Sequence, residues 1–177
     1  MASIIGVNEI QHTNGTTAIT INSDGGIRLP EIEGTWTPAL STTSATDQTL
    51  SIVDSYNRQY GFYSRIGNLV YLSCDLQLGS SVSYTNGGAT AQSCTIVGLP
   101  FPAKNSTGYY GTISTGYFTS FDGWSTGYTP MGYINPGESR ITLTLANTNG
   151  VSQMQTTNVV VNNSRMVFNV TYITDAA

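Results

Sequence analysis

The stretch that most limits what this chain can fold into lies at residues 68–78. There Val70, Leu72, Cys74, Leu76 and Leu78 alternate with Leu69, Tyr71, Ser73, Asp75 and Gln77. Successive side chains of a strand point to opposite faces, so this period of two puts the first set on one face of a sheet and the second on the other. The first set is apolar throughout and is expected to face a core, which leaves Asp75 on the outward face. The Gly67-Asn68 pair just before the strand tolerates positive φ and predicts a tight turn from a partner strand at residues 62–66. A slip of one residue would turn the whole apolar set to solvent, so the register is well specified.

The same alternation recurs later in the chain. Ile141, Leu143 and Leu145 alternate with Thr142 and Thr144 ahead of an Asn147-Thr148-Asn149-Gly150 hairpin turn, and Met166, Phe168, Val170 and Tyr172 alternate with Val167, Asn169 and Thr171. Leu50 and Ile52, set against Ser51 and Val53, mark a further strand, and Cys94 and Ile96 another. Residues 79–92 are polar, contain Asn86-Gly87-Gly88, and read as a loop or hairpin tip. No helical pattern of useful length occurs. Short strands at this spacing predict an all-β fold, an antiparallel β-sandwich or jelly roll. Composition agrees: charged residues are 9% of the chain, against about 25% in an average globular protein, while glycine numbers 19 and tyrosine 11.

Residues 1–33 contain no aromatic residue other than His12. Ala18 and Thr20 alternate with Ile19 and Ile21, a turn follows at residues 22–26, and a second short strand carries Ile27 and Leu29. An isolated two-stranded ribbon is marginal in water and cannot bury these side chains alone. Three copies around a threefold axis would cover them, which makes Ile19, Ile21, Ile27 and Leu29 candidate contacts of a trimeric shaft. Docking onto the protein's own head would serve the same side chains. Pro30 to Gly34 reads as a linker, so the expected division is an N-terminal anchor or shaft at 1–33 and a head domain at 34–177, with Trp36 plugging one end of the core.

Several function classes are poorly served by these residues. The net charge is −4 and Lys104 is the single lysine, which provides no basic stripe for nucleic acid. No run of about 18 apolar residues and no basic-then-apolar leader occurs, so neither membrane insertion nor a secretion signal is expected. Cys74 and Cys94 read as small buried hydrophobes rather than as redox or metal groups, and no cofactor or metal is expected. His12 is the only histidine and lies outside the head, away from any serine elbow. A glycosidase needs paired carboxylates. Asp47, Asp54, Asp75, Asp122, Glu138 and Asp175 each read more simply as a turn former or surface charge, so the chain is not expected to be an enzyme.

What remains is residues 107–133, where Tyr109, Tyr110, Tyr117, Phe118, Phe121, Trp124, Tyr128 and Tyr133 are interleaved with glycines. Tyrosine and tryptophan offer rigid contact area with a polar tip, the chemistry of sugar platforms and interface hot spots. Tyr109, Tyr110, Tyr117, Trp124 and Tyr128 are therefore candidate contacts for a partner. Core packing and subunit seams use the same residue types.

Tyr63-Ser64-Arg65-Ile66-Gly67-Asn68-Leu69-Val70, followed after a variable stretch by Ile96-Val97-Gly98-Leu99-Pro100-Phe101, resembles the C-terminal heads of fibre and spike proteins of tailed bacteriophages. Gly34-Thr35-Trp36-Thr37-Pro38 is similar to the opening of such heads, and residues 13–21 and 26–30 look like the short shaft that precedes them. The resemblance implies a homotrimer on the virion exterior, made in the bacterial cytoplasm and attached through its N-terminal segment to another virion protein. It implies a tail fibre or spike whose head contacts a host glycan or protein. A capsid decoration or head-fibre protein is the alternative, and a polysaccharide depolymerase the outsider.

Overall fold

The computed structural model describes residues 9–11, 17–28, 31–42, 56–80, 93–120, 128–155, 159 and 161–176. Its strands are β1 (Glu9–Gln11), β2 (Thr17–Ile21), β3 (Ile27–Arg28), β4 (Glu31–Trp36), β5 (Ala39–Thr42), β6 (Tyr56–Ile66), β7 (Leu69–Leu78), β8 (Cys94–Val97), β9 (Gly111–Thr119), β10 (Thr129–Ile134), β11 (Arg140–Asn147), β12 (Gly150–Gln153) and β13 (Arg165–Ile173). The fold is all-β, as the alternation predicts, and the pairings between these strands are antiparallel. One sheet has three strands in the order β1-β2-β3. The other has ten, along the path β4-β6-β7-β13-β9-β10-β11-β8-β5 with β12 beside β11.

That path forces the larger sheet to curl. Its two ends are β4 and β5, yet only Thr37 and Pro38 separate Trp36 from Ala39 in the chain. Eight inter-strand steps in a flat sheet would span about 38 Å, whereas three residue steps reach at most about 11 Å. The edges must come round towards each other. Two hydrogen bonds fasten the seam: Leu40 N donates to Tyr56 Oη at 2.9 Å and Gln59 Nε2 donates to Pro38 O at 2.9 Å.

The inner face holds the core. Val70, Leu72, Cys74, Leu76 and Leu78 of β7 are buried, and so are Met166, Phe168, Val170 and Tyr172 of β13 beside them. Trp36 closes the β4 end, its indole Nε1 donating to Ser73 O at 3.0 Å. The indole lies over Gly61, where a Cβ would overlap the ring. Between β6 and β7 the turn is Gly67-Asn68, as expected, and Gly67 takes φ 57°. β11 and β12 are joined by Thr148-Asn149, flanked by the pair Asn147 and Gly150.

Three features differ from the sequence reading. Residues 31–33 are not a linker: β4 starts at Glu31 and pairs with β6 from Glu31 opposite Ile66 to Trp36 opposite Gly61. The glycine-rich stretch, read above as a contact surface and not as strand, supplies β9 and β10. β11 is buried on both faces, Thr142 and Thr144 as well as Ile141 and Leu143, so its chemical alternation does not correspond to an inside and an outside. The strand expected at residues 49–53 and most of the polar loop at 79–92 lie outside the described residues.

Candidate functional site

A β-bulge decides what β9 presents to solvent. Next to β13, Thr115 faces Phe168 and Tyr117 faces Val167, so Gly116 is an extra residue without a partner. Before it, Gly111, Ile113 and Thr115 share one face; an unbroken alternation would put Tyr117 on that face too. The extra residue reverses the parity, turning Phe118 inward against Phe168 and Tyr117 outward, where it is 51% exposed.

Tyr117 thereby joins a row across the outer face. Tyr60 on β6 stands opposite Asp75 on β7, Asp75 opposite Val167 on β13, and Val167 opposite Tyr117 on β9. The two tyrosines stand about three strand spacings, or about 14 Å, apart. Tyr60 is 65% exposed. Thr35, Tyr60, Phe62, Ser73, Asp75 and Val167 line an open cleft of about 580 Å³ at the β6 end of this row.

Charge is concentrated beside it. Arg165 Nε and Nη2 grip Asp75 Oδ1 and Oδ2 at 2.8 and 2.9 Å, a bidentate pairing. Arg58 Nη1 reaches the same carboxylate at 3.5 Å, and the Arg165 guanidinium lies 5.7 Å from the Tyr117 ring centre. The hydrogen bonds from Arg165, helped by the charges of both arginines, hold the Asp75 carboxyl below its ordinary value against the opposing effect of partial burial. Asp75 is thus an ionised acceptor at neutral pH, already occupied on both oxygens.

The other sequence candidates fall in separate places. Tyr109 and Tyr110 are exposed on the loop before β9; Lys104 lies 5.1 Å from the Tyr109 ring centre and Tyr110 packs edge-on to Tyr133 at 6.2 Å. Lys104 N bonds Ile173 O, at the end of β13 opposite Arg165, so this patch and Tyr117 are separated by on the order of 20 Å of strand. Tyr128 is half-buried. Trp124 lies outside the described residues. On the three-stranded sheet Ile19 pairs with Ile10 and Ile21 with Ile27, which brings Ile10, Ile19, Ile21 and Ile27 to one face, with Ile10 and Ile27 exposed. Leu29 lies outside the described residues. Cys74 and Cys94 are free and buried; burial pushes both thiols up, Cys94 to about 12.

No protein-family model and no curated protein matches the chain. Among solved structures, its fold is similar to the crystal structure of Dettilon tailspike protein (gp208), with a TM-score of 0.60 and 18% identity. That likeness is one of fold. It covers 81% of this chain and 24% of the tailspike chain, so the chain spans about a quarter of that protein's length.

Sequence reasoning missed Tyr60, Phe62 and Arg58 as surface groups, although the signal was present. Once Arg65 is paired with inward Val70, the period of two makes Tyr63, Gly61 and Gln59 inward and Phe62 and Tyr60 outward. Tyr71, also exposed, follows in the same way from the alternation in β7. Tyr117 was singled out for its composition, but its outward orientation depends on a bulge that no period announces.

Proposed function

We propose that the chain is a virion structural protein of a tailed phage, a tail fibre or spike whose head binds the host surface through the outer face of β6, β7, β13 and β9. The observation that carries this reading is the open row of Tyr60, Asp75, Val167 and Tyr117, in which aromatic rings flank a carboxylate and an aliphatic side chain on a rigid sheet. Rings held in this way suit sugar faces and protein hot spots, and the likeness in fold to a segment of a tailspike supports the virion context. The head is read as a β-sandwich-like unit of a homotrimer, with the isoleucine face of the three-stranded sheet as the shaft contact and residues 1–33 as the link to another virion protein. Weak single sites would then gain from multivalency.

The protein is read as a binding module and not as an enzyme. In support, Asp75, the acid nearest the cleft, is held ionised by Arg165 and cannot lend a proton at neutral pH. Incubation with host polysaccharide should release no reducing ends, and release would favour the depolymerase reading. The direct test of the main reading is competition: purified protein should slow adsorption of the parent phage to its host in a dose-dependent way. Unchanged adsorption at saturating protein would favour a capsid decoration protein instead.

A further inference from the structure

We infer that the row from Tyr60 to Tyr117 is a site for an acidic saccharide, a sugar whose carboxylate is received by Arg58. This rests on the host-binding reading above and gives its ligand a chemical class. The chain has ten acidic and six basic residues, a net charge of −4, yet two of the basic residues converge here on a single carboxylate. Asp75 has both oxygens engaged by the Arg165 fork at 2.8 and 2.9 Å. One guanidinium cancels its charge, and Arg58 is then surplus. It approaches only to 3.5 Å, with its side chain 47% exposed, so donors of its planar fork remain directed to solvent beside the cleft. Among the described residues no other carboxylate pairs with it.

The surroundings fit a sugar better than a flat protein surface or a bare anion. Tyr60 and Tyr117 rise at either end of the row, while Asp75 and Val167 between them are lower and only partly exposed. A pyranose lying on that floor meets an aromatic wall for its C–H face. Ser73 and Thr35 at the cleft edge supply hydroxyls for its ring oxygens and alcohols. A guanidinium binds a planar carboxylate through two parallel N–H donors, which an uncharged hydroxyl cannot match. A site with a surplus positive charge at its rim therefore discriminates an acid sugar from its neutral counterpart.

Calorimetric titration tests this with uronic-acid oligosaccharides prepared from alginate, hyaluronan and pectate, each set against its carboxyl-reduced form. At least one acidic oligosaccharide should bind, its reduced form should bind tenfold or more weakly, and Arg58→Ala should lose a similar factor. Tyr60→Ala should weaken both forms alike, and Arg140→Ala, a charge-matched change elsewhere, should change nothing. Failure of every acidic oligosaccharide to bind, equal binding of the reduced forms, or indifference to Arg58→Ala would overturn the inference. Host-cell binding by the same proteins separates the two levels. Wild-type binding that Arg58→Ala leaves intact would sink the acidic-sugar site while the host-binding reading stands. Absence of wild-type binding to cells would sink the host-binding reading itself.

Discussion

At the scale of the residue, the inner and outer faces of β7 make opposite demands. Leu72 is fully buried, so Leu72→Ala should cost about 2–5 kcal/mol through lost burial and the cavity left behind, whereas Gln77→Ala on the outer face should cost little. Chemical denaturation of the two variants checks this, and equal small losses would mean that the faces are misassigned. Gly61→Ala would drive a methyl into the Trp36 indole and should destabilise by about 1–3 kcal/mol, the range of an overpacked core. Asp75 carries a pH signature. Its folded pKa lies below the unfolded value of about 3.9, chiefly through the Arg165 hydrogen bonds. Its contribution is therefore complete above pH 4 and is lost as the pH falls through the folded value. Asp75→Asn should be less stable than wild type at pH 7, and the gap should narrow below about pH 4. A gap independent of pH would remove the ion pair from the explanation.

At the scale of the element, sequence and structure agree where one face of a strand is buried and the other is wet. β7 and β13 were legible for that reason, and so was the Gly67-Asn68 turn between β6 and β7. β11 was legible as a strand but not as one covered on both faces, since burial of Thr142 and Thr144 depends on what packs over them and not on their own chemistry. β4 was obscured because Pro30 and Gly34 look like punctuation, whereas pairing with β6 extends the strand back to Glu31. The candidate site was half legible. Its members come from four strands distant in sequence, and the orientation of Tyr117 depends on the extra residue at Gly116. Deleting Gly116 should remove the bulge and leave an unbroken alternation, with Thr115 inward, Tyr117 outward opposite Val167 and Phe118 inward. Tyr117 should then keep its accessibility to nitration by tetranitromethane; a protected Tyr117 would show that Gly116 is not the extra residue.

At the scale of the whole molecule, the short link through Thr37 and Pro38 ties the two ends of a long sheet path together, and the curl gives the outer face of β6, β7, β13 and β9 a rigid backing. The isoleucine face of the three-stranded sheet is left with no internal requirement to be exposed, and a second and third copy would cover it. Native mass spectrometry should give a trimer, and Ile19→Asp should reduce it to monomer with the larger sheet still folded; a wild-type monomer at micromolar concentration would contradict the shaft assignment. The most direct measurement is a density map of the virion that carries this chain. The expected result is a threefold feature at the tail, with residues 1–33 towards the particle and Tyr60, Arg58 and Tyr117 on its outward surface. A position on the capsid shell, or an outer face sealed beneath a neighbouring virion protein, would contradict the host-binding role.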